Sequence, residues 1–409
     1  MTDIIDSVTD DPAPAAGEDA PHPGEASCWR RTEAQGIVTL WLDCPGTDTN
    51  VISESVLREL DWLLSDLAGA KALVLRSAKA SGFAAGADID SFVGLTRDTA
   101  LSLLKEGHAV LDRLATLDVP TVAVIHGNTL GGGLELALAC DRRIGMDGVK
   151  AGFPEIQLGL HPGLGGTFRL TRLIDPVEAM QAMLTGKSIH DRKAKRLGLI
   201  DALVPERHVD AAIEAAVSGK LSPRETALNP GGLKAGALRL SPARSLAATR
   251  MRQEAEKRAP RRHYPAPYAL IDLWHDHGGD PEAMQQTEME SFATLLGSAT
   301  AQALIRVFFL RQRLKSGARS ASGIDHVHVI GAGTMGAEIA AWAALRAKRV
   351  TLEDVSLAPL GTAVQRAAIL YERRHLSGIE ARDALSRRVP IFLKIAPDLT
   401  EAELADIAA

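Results

Sequence analysis

The stretch Val124-Ile125-His126-Gly127-Asn128-Thr129-Leu130-Gly131-Gly132-Gly133-Leu134-Glu135-Leu136-Ala137-Leu138-Ala139-Cys140-Asp141 decides how the chain is read. The β-branched run from Pro120 to Ile125 is that of a buried strand, glycines follow at 131 to 133, and an apolar helical pattern starts at once with Glu135 in its first turn. A bare backbone turn between strand and helix lets a ligand come within hydrogen-bond distance of the main chain. The free N–H groups and the helix dipole favour negative charge there, so the place suits an oxyanion. The plainer reading is that glycine-rich strand–helix turns are common and that a Glu near a helix start merely complements the dipole.

Working outward, Ala72-Leu73-Val74-Leu75-Arg76 predicts a second buried strand running into Ser81-Gly82-Phe83-Ala84-Ala85-Gly86-Ala87-Asp88-Ile89. Two small-residue loops at the ends of neighbouring strands can aim N–H groups at one atom. That is what an acyl-transfer or enolate-forming site needs, because charge grows on a carbonyl oxygen in the transition state. Before them, Gly36 to Leu42 alternates toward a strand, and Ile52 to Leu67 has a helical period with Ser53 or Ser55 as cap. Twenty residues beyond Glu135 stands Glu155, flanked by Phe153, Pro154 and Ile156. Burial there is expected to raise its pKa, whereas Glu135 near a helix N-terminus is expected to stay ionised; such a divergence suits an acid and a base.

The chain has 409 residues, which suggests two or three domains, and its 46% hydrophobic and 24% charged content is that of a soluble globular protein. Its net charge is −5, but residues 1–27 hold seven acids and no Lys or Arg, so removing those seven negative charges leaves +2. No basic field marks nucleic acid as a partner. That first segment, rich in Pro, Ala, Gly and acid, reads as a disordered tail. Cys28, Cys44 and Cys140 have no metal or redox spacing and read as reduced thiols of a cytoplasmic protein. No metal site, leader or membrane span is expected.

The pieces Phe83-Ala84-Ala85-Gly86-Ala87-Asp88-Ile89, Gly131-Gly132-Gly133-Leu134-Glu135-Leu136-Ala137, Pro154-Glu155 and Leu158-Gly159-Leu160-His161-Pro162-Gly163-Leu164-Gly165-Gly166-Thr167, in that order, make residues 30 to 210 resemble the crotonase, or enoyl-CoA hydratase, family. The resemblance implies an α/β fold of ββα units wound into a superhelix, an oxyanion hole made by the N–H groups of Ala87 and Gly132, and a water held by Glu135 and Glu155. In hydratases both glutamates are present. Glu135 would activate water for attack at C3 of a 2-enoyl-CoA thioester and Glu155 would give a proton to C2. Ala85, Asp88, Ile89 and Gly163 are the further substrate-binding positions. The alternatives are a Δ3,Δ2-enoyl-CoA isomerase and a non-catalytic CoA-binding scaffold for a thiolase partner.

From about 216 the composition shifts, with breaks at Asn229-Pro230-Gly231-Gly232 and Ala259-Pro260, and a long helix is predicted where Phe292, Leu295, Leu296, Ala299, Ala303, Leu304, Val307, Phe308 and Leu314 form a stripe packed against the first domain. Gly317 to Gly323 reads as a boundary. Then a strand, His326-Val327-His328-Val329-Ile330, leads into Gly331-Ala332-Gly333-Thr334-Met335-Gly336, and Arg349 to Asp354 supplies a second strand ending in acids. Asp354 stands 23 residues after Gly331, where a ribose-binding carboxylate belongs, so NAD is expected at Gly331, Gly333, Met335, Gly336 and Asp354.

A crotonase domain, a helical linker and this fingerprint together resemble the α subunits of multifunctional fatty acid oxidation complexes. That family pairs the hydratase with a 3-hydroxyacyl-CoA dehydrogenase and often binds a thiolase subunit, and an oligomer is expected. This linker reads Phe308-Phe309-Leu310-Arg311-Gln312 where the family commonly carries an Asp. The expected organisation is a tail (1–27), a crotonase domain (28–215), a helical linker (216–320) and an incomplete Rossmann-type domain (324–409) offering only half of an NAD site. The nicotinamide half, with the family's catalytic His and its Glu, is expected beyond Ala409, so dehydrogenase activity is expected only in a longer chain and unpaired strand edges are expected in this one. A further helical stretch is predicted from about Leu357 to Arg388, with His375 as a solvated surface residue.

Overall fold

The computed structural model describes residues 27–221, 241–318, 325–346, 349–374, 376–386 and 391–393. The acidic segment before Ser27, the Asn229–Gly232 break, most of the Gly317–Gly323 boundary and His375 lie outside the described residues. The chain divides into a first unit ending at Leu310 and a second starting at Arg311.

Among the described residues of the first unit the β-rich runs form nine strands: β1 (Trp29–Ala34), β2 (Ile37–Leu42), β3 (Ala72–Ser77), β4 (Thr121–Ile125), β5 (Asn128–Leu130), β6 (Arg142–Met146), β7 (Lys150–Gly152), β8 (Ile189–His190) and β9 (Ala202–Val204). A six-stranded sheet has the order β1-β2-β3-β4-β6-β9, parallel except for β1, and a smaller sheet has the order β5-β7-β8. Every residue of β4 is buried, as a parallel strand covered on both faces must be. Single bridges extend the smaller sheet, Ala84 to Thr129 and Ile52 to Ala87. Successive turns of chain thus give one strand to each sheet, β4 then β5 and β6 then β7, which is the ββα winding.

The covering helices are α1 (Glu54–Ser65), α2 (Arg97–Ala115), α3 (Gly132–Ala139), α4 (Gly166–Leu173), α5 (Pro176–Thr185), α6 (Asp191–Leu197), α7 (Val209–Val217), α8 (Ser241–Arg258), α9 (Ala266–His277), α10 (Pro281–Leu296) and α11 (Ala299–Ala318). Ser53 caps α1 by accepting the Val56 N–H. The single long helix expected around Phe292 is instead two, α10 and α11, bent by 69° at Gly297-Ser298. The bend turns a different face of α11 inward than the expected stripe. Of the expected stripe only Phe292, Leu295 and Leu296 are buried, with Leu104 and Leu160; in α11 the buried residues are Ala301 and Ile305, while Ala299, Ala303 and Val307 are exposed. Among the described residues no single helix is long and apolar enough to cross a membrane.

The second unit begins its own parallel sheet with β10 (His326–Ile330), β11 (Arg349–Asp354) and β12 (Ile391–Leu393), β11 lying between the others. Between β10 and β11 runs α12 (Thr334–Ala344). The predicted stretch after Leu357 is two helices, α13 (Leu357–Arg373) and α14 (Gly378–Ser386), rather than one.

Candidate active site

Helix α3 is buried at all eight positions, so an acid there needs local partners. Glu135 finds them in the main chain: its Oε1 accepts the N–H of Leu164 at 2.7 Å and of Gly166 at 2.8 Å. No hydrogen bond among the described residues uses its Oε2. Burial, and after it the negative charge of Glu288, push the Glu135 carboxyl up to about 7, against the pull of the two N–H groups. The expectation that the helix N-terminus would keep Glu135 ionised at its ordinary value is therefore corrected, because desolvation outweighs the dipole.

Glu155 lies on the 3-10 turn Pro154–Leu158, which starts at Phe153. Its Oε2 is buried with no partner among the described residues, and burial followed by the charge of Glu135 holds its carboxyl well above the ordinary value. Its Oε1 rests against Gly131, whose φ is +51°; a Cβ there would stand 2.6 Å from that oxygen. Only glycine fits.

The two small-residue loops meet. Leu130 N–H donates to Ala84 O at 2.9 Å, Ile52 N–H to Gly86 O at 2.8 Å and Asp88 N–H to Ile52 O at 3.3 Å. Ala87 N–H is left between these bonds, and Gly132 N–H opens α3; neither has an acceptor among the described residues. They are close, since a Cβ on Gly132 would lie 3.7 Å from Ala87 N. One cavity is lined by Ala87, Gly132, Glu135 and Glu155, and by Ala85, Asp88, Ile89 and Gly163 as well. Its other walls are mainly apolar, with Leu57, Phe92, Leu104, Leu158, Phe292 and Leu296, beside the polar Glu54, Arg58, Ser91 and Glu106. Asp88 presents main chain there, since its side chain caps the turn Ile89–Phe92 by accepting Asp90 N–H at 3.1 Å. Gly163 has no room for a Cβ, which would fall 2.7 Å from the Phe292 ring.

Sequence reasoning missed three buried polar residues around this cavity. Asn50 accepts Cys44 N–H at 2.9 Å, and its amide donates to Leu42 O at 2.9 Å and Ser77 Oγ at 2.9 Å, tying the strand ends below the Ala85–Ile89 loop. His108 on α2 donates from Nε2 to Gly163 O at 2.9 Å. Glu288 on α10 is fully buried and 3.4 Å from His108 Nε2. Glu288 carried a signal, because it sits four residues after Met284 and four before Phe292, on the buried stripe of its helix.

In the second unit Gly331 has φ +92°, its N–H donates to Glu353 O at 2.7 Å, and a Cβ on Gly336 would lie 1.8 Å from Gly331 O. Those are the demands of a tight turn and of close helix–strand packing. Gly333 caps α12, Met335 is exposed, and Asp354 Oδ2 accepts Ala332 N–H at 2.6 Å. The carboxylate at the end of β11 thus faces the glycine turn.

Residues 32–222 match the enoyl-CoA hydratase/isomerase family, and residues 326–408 match the NAD-binding domain of 3-hydroxyacyl-CoA dehydrogenase. Among similar proteins, the fatty acid oxidation complex subunit alpha of Shewanella baltica is 36% identical over 374 residues, covering 86% of this chain and 51% of its own length. That of Aliivibrio fischeri is 35% identical over 382 residues, covering 88% and 53%. The chain spans about half the length of these curated relatives. The solved enoyl-CoA hydratase from Bacillus halodurans is 18% identical with a TM-score of 0.49, over 69% of this chain and 100% of that one. The chain therefore joins a segment of the crotonase-type enoyl-CoA hydratase/isomerase family to an NAD-binding segment of the 3-hydroxyacyl-CoA dehydrogenase family.

Proposed function

We propose that the first unit adds water across the 2,3 double bond of 2-enoyl-CoA thioesters in fatty acid β-oxidation. The observation that carries this is the convergence of two carboxyls and two unpaired N–H groups on one apolar cavity. The thioester oxygen sits between Ala87 N–H and Gly132 N–H, which stabilise the enolate oxyanion as charge develops on it. Glu135, with Oε1 fixed by Leu164 and Gly166, accepts a proton from water at Oε2 while the water oxygen bonds C3. Glu155, held protonated by burial, delivers its proton to C2, and the proton taken by Glu135 then returns to Glu155 through solvent, which restores one carboxylate and one acid. The apolar walls take the acyl chain, and the main chain from Ala85 to Ile89 borders the CoA moiety. A double-bond isomerase needs one carboxyl to move a proton, and a scaffold needs none; two carboxyls in one cavity favour hydration.

Loss of enoyl-thioester absorbance tests this. Glu135→Gln and Glu155→Gln are each expected to lower kcat about 100- to 10,000-fold while thioester binding persists. Near-parent turnover in either variant refutes its assignment.

For the second unit we propose binding of the adenosine side of NAD, with Gly331, Gly333, Met335 and Gly336 against the phosphates and Asp354 on the ribose hydroxyls. The left-handed Gly331 and the carboxylate facing the turn fit that half of the cofactor. When bound, NAD would supply the hydride acceptor for a 3-hydroxyacyl-CoA. We further propose a cytoplasmic assembly with a thiolase subunit, a reading supported by the word "complex" in the relatives' names.

A further inference from the structure

Four successive main-chain amides divide between two buried acids. Leu164 N–H and Gly166 N–H go to Glu135 Oε1; Gly165 N–H at 2.6 Å and Thr167 N–H at 3.1 Å go to Glu288, which also accepts the Thr167 hydroxyl. Glu288 is not on the cavity wall and touches no position where substrate would lie. It comes from α10, in the segment read from sequence as a linker and beyond the residues matched to the hydratase/isomerase family. Burial alone pushes its carboxyl up, but the bonds from His108 and Thr167 more than offset this and hold it below the ordinary value. His108 is itself fixed: Gln285 Nε2 donates to its Nδ1 at 3.1 Å and to Asp112 Oδ2 at 2.5 Å, so the Nε2 proton faces Gly163 O and Glu288. Arg169 completes the frame by donating to Leu164 O at 2.8 Å and Asp112 Oδ1 at 2.7 Å.

We propose that Glu288, backed by His108, is a positioning residue for hydration: by holding Gly165 and Thr167 it turns the alternate amides of the 164–167 loop onto Glu135 and leaves Glu135 Oε2 for the reacting water. This inference rests on the hydratase reading. A stability role alone would need the same burial but no link to Glu135, so the test must read Glu135. The charged and titratable groups facing Glu135 are Glu288 from α10, His108 from α2, Arg169 from α4 and Glu155 from its turn. Those facing Glu288 are His108, His161, Arg169 from α4 and Glu135.

The experiment measures hydration of a 2-enoyl-CoA against pH with the full chain, folding being checked by circular dichroism. Glu288→Gln removes a negative charge that raises the Glu135 pKa, so the acid limb of kcat/KM is expected to move to lower pH. The plateau kcat is expected to fall about tenfold or more with KM changed less than about threefold. Glu288→Asp keeps the charge but shortens the reach, so kcat falls while the acid limb returns toward the parent position. A folded Glu288→Gln protein with parent kcat, with an unmoved acid limb, or with its loss confined to KM overturns the proposal. If that variant does not fold, Thr167→Val decides: it removes the hydroxyl bond to Glu288 and is expected to lower kcat about threefold or more at unchanged KM, and parent kcat overturns the proposal. A parent chain that hydrates no 2-enoyl-CoA refutes the hydratase reading and this inference with it, an outcome distinct from an active parent with indifferent variants.

Discussion

Replacing Glu135 by Gln is expected to make the protein melt higher than the parent at pH 8 but not at pH 5. A Glu135 carboxyl pushed up to about 7 in the folded state, against about 4.5 when unfolded, binds its proton more tightly folded than unfolded. Its favourable contribution is complete below about pH 4.5 and is lost as pH rises through 7, where the folded protein must bury the charge. A gap of about 2.5 units corresponds to about 3 kcal/mol, an upper figure because Glu135 and Glu155 titrate together. Gln keeps an oxygen for Leu164 N–H and Gly166 N–H and carries no charge, so it escapes the loss. At about 2 °C per kcal/mol, the melting difference in favour of the variant grows by about 6 °C between pH 5 and pH 8. Melts of both proteins at pH 5, 6, 7 and 8, followed by far-UV circular dichroism at one ionic strength, read this directly. A difference that stays flat with pH, or that turns against the variant as pH rises, refutes the account of a carboxyl strained by burial.

Gly131→Ala places a Cβ 2.6 Å from Glu155 Oε1 in a backbone with φ +51°, so it is expected to cost about 1–3 kcal/mol in urea unfolding. Because the flexible acid gives way first, it is also expected to lower kcat about 100-fold; parent turnover would place the proton donor elsewhere. In the second unit, Asp354→Asn retains an acceptor for Ala332 N–H but loses the charge, and calorimetric titration with NAD is expected to show about tenfold weaker binding. An unchanged Kd would remove Asp354 from the ribose site.

What was legible in the sequence is what local pattern determines. The buried strand before the glycines, α3 and the glycine turn of the second unit appear where periodicity and small residues put them. The misses have physical causes. Strand β1 escaped because only Trp29 of its six residues is buried, so an edge strand left no alternation to read. The short strands β5, β7 and β8 have two or three residues each, below the length at which a period shows, and their sheet exists because neighbouring turns of the superhelix stack. The break at Gly297-Ser298 interrupts no apolar position of the sequence pattern, so one helix was expected where two form, and the buried face of the second, with Ala301 and Ile305, was not the one expected. The pKa of Glu135 depends on Glu288, which lies far along the chain and reaches the site only through the packing of α10. Both glutamates that line the cavity could be picked from sequence as candidates; the acid that conditions one of them is set by tertiary structure.

Three carboxyls so close in one apolar core would be a liability in a protein selected only for stability, since each buried charge must be matched by donors. Here the donors are rationed. Glu288 takes two N–H groups, a hydroxyl and His108; Glu135 takes two N–H groups on one oxygen; Glu155 has none on Oε2. The order of donors is the order of acidity, with Glu288 held low, Glu135 near 7 and Glu155 well above its ordinary value. In the proposed mechanism, a base near 7 accepts a proton at neutral pH with more driving force than a surface carboxylate and is still partly ionised, while an acid held well above its ordinary value has one to give. Stripping the two N–H groups from Glu135 would raise it further, and removing the charge of Glu288 would lower it. The alternation of amides from Leu164 to Thr167 therefore connects position with basicity: the same short loop that aims Glu135 also sets how strongly it holds a proton.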